Sequence, residues 1–171
     1  ALLNNLPPFS QTSSNLLEFP TDTRRENYQA SALALRDVKS YVLGMLTEEV
    51  GLASPDRYVW CLRSRVVINN IAFYTVIRRN FDPATLAPSS YVNGVLYTYS
   101  ILDITVDPFY DAVEVPVDPL AVGPTAVASS IDGLLGTGLG LGEFFVGFTR
   151  DDVGGLRYLY RPNNYNVENL L

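Results

Sequence analysis

A chain of 171 residues with a net charge of −6 is long enough to enclose one domain with its own core, and its acidity argues against a nucleic-acid partner, which needs a basic footprint. There is no histidine and Cys61 is the only cysteine, which removes histidine-based hydrolase triads, the usual zinc ligands and any intrachain disulfide. No continuous apolar run reaches the eighteen residues that a membrane-spanning helix needs, so membrane insertion is not expected.

The basic residues are Lys39 and eleven arginines, a bias toward planar, bidentate ion pairing. Scarce lysine, with eleven tyrosines and abundant Asn, Gly and Pro, fits an extracellular or cell-surface protein.

Residues 1–22 carry Pro7, Pro8 and Pro20 and no helical period, so they are expected to run as an extended arm. Leu2, Leu3, Leu6 and Phe9 make that arm too apolar for solvent and mark it for docking, in cis or on a neighbouring subunit. One domain over 23–162 follows, then a tail over 163–171 whose Leu170 and Leu171 repeat the apolar character.

Thr23 and Glu26 have capping-box spacing, and Leu35, Val38, Val42, Met45 and Leu46 recur at helical spacing behind them. The pattern predicts one long amphipathic helix over 23–50, ended by Gly51 and Pro55.

Two strand-like runs then flank Asn69-Asn70, a dipeptide suited to a tight hairpin turn. Pairing Ile68 with Ile71 sets Val66 opposite Phe73, Leu62 opposite Ile77, Tyr58 opposite Phe81 and Trp60 opposite Arg79, with the first three pairs on a core face. The other face gathers Arg63, Arg65 and Arg78 around Tyr74 and Cys61, an anion-facing patch. A third strand is expected over 95–105, after Asn93-Gly94, and a short edge strand over 113–117, interrupted by Pro116.

Asp103, Asp107, Asp111, Glu114 and Asp118 form the densest carboxylate series. Three readings stand for them: pairing with the arginine patch in cis or in trans, a calcium site through Asp103, Asp107 and Asp111, or a glycosidase-like carboxylate pair. Apart from calcium no cofactor is implied. The glycine-rich run over 136–142 lacks the Lys-Ser/Thr of a phosphate loop and reads as an extended segment that a neighbour can approach closely.

At the end of the domain Thr149 is placed to cap a short helix, with Asp151 and Asp152 at its positive end. Val153, Leu156, Leu159 and Tyr160 supply a buried stripe. Gly154 and Gly155 each cost this helix roughly 1 kcal/mol relative to alanine, which implies a packed neighbour too close for a Cβ.

The stretch FTRDDVGGLRYLY, Phe148 to Tyr160, resembles the closing helix of matrixin-type metalloproteases over about a dozen residues. Met45 to Tyr58 is similar to the end of that family's catalytic helix. The family works through three zinc-binding histidines and a glutamate base, and with no histidine here the resemblance implies a retained packing helix without the enzyme. The runs over 54–67, 78–101 and 147–164 are also similar to segments of large secreted bacterial proteins, which imply no particular activity.

The expected architecture is α+β: one long N-terminal helix on a mainly antiparallel sheet of three to five strands, a short C-terminal helix, and extended apolar terminal arms. The expected function is non-enzymatic: an extracellular structural protein that assembles with itself, into a filament or another homopolymer, through arms docked on neighbouring subunits. The alternative is a secreted binding or adhesion module, for a glycan or a surface partner, built on a degenerate metalloprotease-like domain.

Overall fold

The computed structural model describes residues 3–104, 109–121, 125–131 and 138–163. Leu2, Asp107, Leu170 and Leu171 lie outside the described residues.

The architecture is mixed helix and antiparallel sheet, but the long helix over 23–50 does not form. Thr23 spends its hydroxyl on the Gly147 carbonyl at 2.6 Å, and Arg24–Glu26 become strand β1. That strand pairs with β7, Glu143–Phe145, so a long-range ladder replaces the first helical turn. Two caps then divide the remainder. The Asn27 side chain accepts from the amides of Gln29 and Ala30 to start α1, Tyr28–Ala32, and the chain leaves that helix through Ala34 at φ +54°. The Asp37 side chain accepts from the Ser40 amide at 2.9 Å and opens α2, Val38–Glu49.

Strands β2, Trp60–Ile68, and β3, Ile71–Arg78, form the expected hairpin, with Asn69 and Asn70 both at positive φ as a tight turn requires. The register holds from Ile68↔Ile71 to Ser64↔Thr75 and then slips, because Arg63 is a β-bulge. Leu62 therefore faces Val76, Cys61 faces Ile77 and Trp60 faces Arg78. The Arg78 guanidinium, not that of Arg79, lies 4.9 Å from the Trp60 ring centroid.

Among the described residues the single sheet resolves into three small ones. Beside β1–β7 and β2–β3 stands β4–β5–β6, with β4 at Tyr91–Val92, β5 at Val95–Ile104 and β6 at Phe109–Pro116, a longer strand than the edge piece expected. The two long hairpins are tied by the Trp60 indole, which donates to the Tyr97 carbonyl at 3.0 Å and sits 5.2 Å from the Tyr99 ring.

Helix α3, Arg150–Leu159, forms as its sequence directs, with Thr149 and Asp152 in a reciprocal capping box. It buries Val153 and Leu156 but leaves Tyr160 56% exposed. Gly154 and Gly155 are the points of close approach: a Cβ on Gly154 would overlap Pro83, and one on Gly155 would stand 2.6 Å from Leu52 Cδ2.

The main core joins Leu16, Leu43, Val127, Leu139, Phe145, Phe148 and Val153, with Leu6, Phe19 and Tyr41 packed against it. A smaller cluster of Val59, Val92 and Tyr97 sits under the hairpins. The segment before β1 is therefore part of the fold. Leu16 is fully buried, worth about 2 kcal/mol for its side chain, and Arg157 of α3 holds the Ser13 and Ser14 carbonyls at 2.8 and 3.1 Å.

Candidate functional site

Helix α2 packs with the face opposite to the one its periodicity marks. It buries Ser40, Leu43, Gly44 and Thr47, and a Cβ on Gly44 would overlap the Ser130 hydroxyl. Small polar contacts hold it there: Ser40 Oγ accepts from the Phe145 amide at 2.8 Å, and Ser130 Oγ donates to the Ser40 carbonyl at 3.3 Å. The apolar stripe is left outside, with Val38 72%, Val42 47%, Met45 56% and Leu46 45% exposed. Leu35, expected on the same stripe, is likewise exposed.

Beside that stripe runs a groove of about 840 Å³, lined by Val38, Val42 and Leu46 on one side and by Phe144 and Val146 of the β7 segment on the other. Strand β7 pairs only with β1, so among the described residues its second edge carries no strand.

The hairpin β2–β3 shows the same inversion. Val66, Ile68, Ile71 and Phe73, expected on a core face, are each more than half exposed at its tip. Among the described residues, exposed large apolar and aromatic side chains outnumber the buried hydrophobic ones. Patches of this size on a chain that also forms a proper core mark contact surfaces.

The arginine patch is broken up by the bulge. Arg63 is exposed at the bulge itself and Arg78 lies over Trp60. Among the described residues Arg65 alone of the three meets one of the expected acids: its Nε donates to Asp103 Oδ2 at 2.8 Å within the same chain, and the Tyr74 hydroxyl donates to the same oxygen. These two hydrogen bonds hold the Asp103 carboxyl below the usual carboxylate range.

Asp103 lies opposite Tyr110 and Asp111 opposite Leu102, so the two acids project from opposite faces of the β5–β6 ladder. They do not converge on one ion, and among the described residues no group of three or more potential ligands does so. Of the named arm residues, Leu6 packs on its own chain's core, and Leu3 and Phe9 begin short 3-10 turns.

Glu114 is the acid in the series that sequence alone does not single out. One carboxylate oxygen is buried without a hydrogen bond among the described residues. Burial pushes the carboxyl up to about 7, against hydrogen bonds from its own amide and that of Trp60. In the unfolded chain the value is near 4.5. The protonated form therefore favours the fold: its stabilisation is complete below pH 4.5 and is lost as pH rises through 7. The urea midpoint of the wild type should fall relative to that of Glu114→Gln across this window. A difference between the two that stays flat with pH would mean that the carboxyl is hydrated in the folded protein.

Two further acids missed by sequence reasoning as functional groups lie at α3. Asp152 is buried and accepts four hydrogen bonds: from Val127 N and Ala128 N at 3.0 Å, from Thr149 N at 2.9 Å and from Thr149 Oγ1 at 2.6 Å. Asp151 receives none on its carboxyl among the described residues, although its amide donates to Asn93 Oδ1 at 3.2 Å. Burial, with the charges of Asp152, Asp56 and Asp82, pushes Asp151 up to about 8. Burial raises Asp152 as well, against its four hydrogen bonds, and the unequal partners of the two carboxyls are invisible in the letters Asp-Asp. They follow from the 126–130 turn presenting its amides to one residue only.

In comparison with known proteins, no protein-family model, curated protein or solved structure matches this chain.

Proposed function

We propose that this chain is a non-enzymatic structural subunit of an extracellular or cell-surface assembly, built by contact of the exposed β2–β3 hairpin of one copy with the α2–β7 groove of the next. The observation that carries this reading is the double inversion: both faces patterned for burial, on α2 and on the hairpin, are bare in the single chain. A projecting apolar tip and an apolar groove at different places on one molecule make a head-to-tail contact, which propagates unless the rotation closes a ring.

Exchange of the N-terminal arm is the less favourable form of assembly, since it would draw Leu16 out of its own core. For the same reason deletion of residues 1–19 is a poor test, because it would damage the fold. Charge on the bare faces is the cleaner one.

Sedimentation velocity and negative-stain electron microscopy at micromolar concentration should show large species for the wild type. Val42→Glu/Leu46→Glu and Ile68→Glu/Phe73→Glu should each be folded monomers by circular dichroism. Mixed together, these two variants should form a dimer and stop there, each supplying the surface the other has lost. A wild type that stays monomeric at 100-fold higher concentration would overturn the proposal.

A further inference from the structure

A second cleft lies away from the assembly groove, between the 51–58 segment, the turn after β3, and α3. Its volume is about 430 Å³, within the range of small-molecule sites. Leu52, Pro83 and Leu159 give it apolar walls, and Tyr58, Phe81 and Tyr158 give it aromatic ones. The Phe81 and Tyr158 rings pack at 4.9 Å as one continuous surface. Gly51 and Gly155 line it with bare backbone.

The charged side chains that line this cleft are Asp151 and Arg79. Asp151 lines it, and its carboxyl finds no hydrogen bond among the described residues. The charges that act on Asp151 are those of Asp152 on α3, Asp56 from the turn before β2 and Asp82 from the turn after β3, and the Tyr97 phenol from β5 lies beside them. Of the nearby cations, Arg150 acts on Asp82 and Arg161 lies 4.4 Å from the Tyr158 ring centroid. The three acids are occupied elsewhere. Asp152 holds four donors, Asp56 accepts from the Ser129 hydroxyl, and Asp82 accepts from Ala84 N, Thr85 N and Thr85 Oγ1. Arg79, the cation of the lining, makes no ion pair with Asp151 among the described residues and acts instead on the Cys61 thiol on the β2 side. Asp151 is thus a carboxyl with no hydrogen bond or ion pair among the described residues, at the wall of an aromatic cleft, with three further acids acting on it.

We propose that this cleft binds a small organic cation, an ammonium or guanidinium on an apolar stem, with the Asp151 carboxylate as its counter-ion and the rings of Tyr58, Phe81 and Tyr158 along its stem. Aromatic faces attract cations through the ring quadrupole, and the attraction grows where water is excluded. A neutral ligand would leave Asp151 without an ion pair, and an anion would add to the acids already acting on it. Binding draws the proton off Asp151, whose carboxyl titrates near 8 in the empty cleft, so the apparent affinity climbs with pH until that proton is gone. Between pH 6 and pH 8 the expected gain is on the order of 50-fold. The inference does not depend on the assembly reading, since the cleft and the groove share no residue.

The test is a two-dimensional amide NMR titration at pH 6 and pH 8 with n-butylammonium and n-butylguanidinium, against n-butanol and butyrate as neutral and anionic controls. The variant Val42→Glu/Leu46→Glu, monomeric under the proposal above, serves alongside the wild type. The cations should shift the Leu52, Gly155 and Tyr158 amides saturably and more tightly at pH 8, and the controls should not. Asp151→Asn should keep the fold, by its amide spectrum, and lose at least tenfold in affinity for the cations. Nα-acetylarginine N-methylamide places the same head on a peptide backbone: tighter binding than n-butylguanidinium assigns the cation to a protein side chain, and weaker binding to a free small molecule. Butanol or butyrate binding as tightly as the cations would overturn the proposal. So would an Asp151→Asn variant that binds within threefold of the parent, an affinity indifferent to pH, or no saturable shift with either cation at 100 mM.

Discussion

Replacing Asp152 by alanine is expected to cost on the order of 4 kcal/mol, enough to remove much of the margin of a domain whose total stability is roughly 5–15 kcal/mol. Two amides from the 126–130 segment and one from Thr149 converge on this carboxylate, which is 1% exposed. Alanine leaves all three facing a dry cavity, and each buried donor without a partner costs about 1–3 kcal/mol. The reciprocal box at the start of α3 is lost as well, and with it the junction between α3 and the 126–130 segment. Urea denaturation followed by tryptophan fluorescence should show the midpoint falling with an unchanged slope. A midpoint within 1 kcal/mol of the wild type would mean that the turn amides find water instead, and that the carboxylate is not the hub that its four contacts imply.

Gly154→Ala and Gly155→Ala form the second test, and the neighbouring glycines should behave differently. At Gly154 the new methyl overlaps Pro83, stands 3.0 Å from its Cα and 3.3 Å from Leu16 Cδ1, so the backbone of the turn itself must give. Overpacking against backbone costs roughly 3 kcal/mol, and alanine returns about 1 kcal/mol of helix propensity, leaving a net loss of about 2 kcal/mol. At Gly155 the obstacle is Leu52 Cδ2, the far end of a flexible side chain, which can turn aside. There the two effects offset, and stability should stay within about 1 kcal/mol of the wild type. Equal losses at both positions would show that the helix cannot move on either side. Equal gains would show that the Pro83 contact is loose.

Helix α3 could be read almost entirely from its sequence, because the information for it is local. Thr149 as cap, the acids behind it and two glycines that a close neighbour demands are short-range features, and only Tyr160 was misplaced. Asn69-Asn70 fixed its turn for the same reason. The bulge at Arg63 could not be read, since an inserted residue in a ladder changes the pairing of everything beyond it without changing the pattern of letters. Thr23 carried a sound local cap signal, and a ladder with residues 143–145 overrode it. Asn27 and Asp37 carried signals of equal quality that a long apolar period concealed. On the candidate surfaces, periodicity correctly named the apolar faces of α2 and the hairpin but not what covers them. Period reports that a face is meant for contact, and the identity of the contact lies in the third dimension or in another molecule.

The clasp of Arg157 on the Ser13 carbonyl joins positions 144 residues apart in the chain. Arg150 adds a second grip on the Leu16 carbonyl, and β7 must arrive before β1 has a partner. A ribosome therefore releases the first layer of this domain long before the piece that closes over it, and the main core stays open until residues 139–157 have been made. Such dependence on distant contacts makes folding slow and delays its final step until those residues are made. In a molecule with two exposed apolar faces that order is protective, since the groove beside β7 does not exist until residues 144–146 have been made.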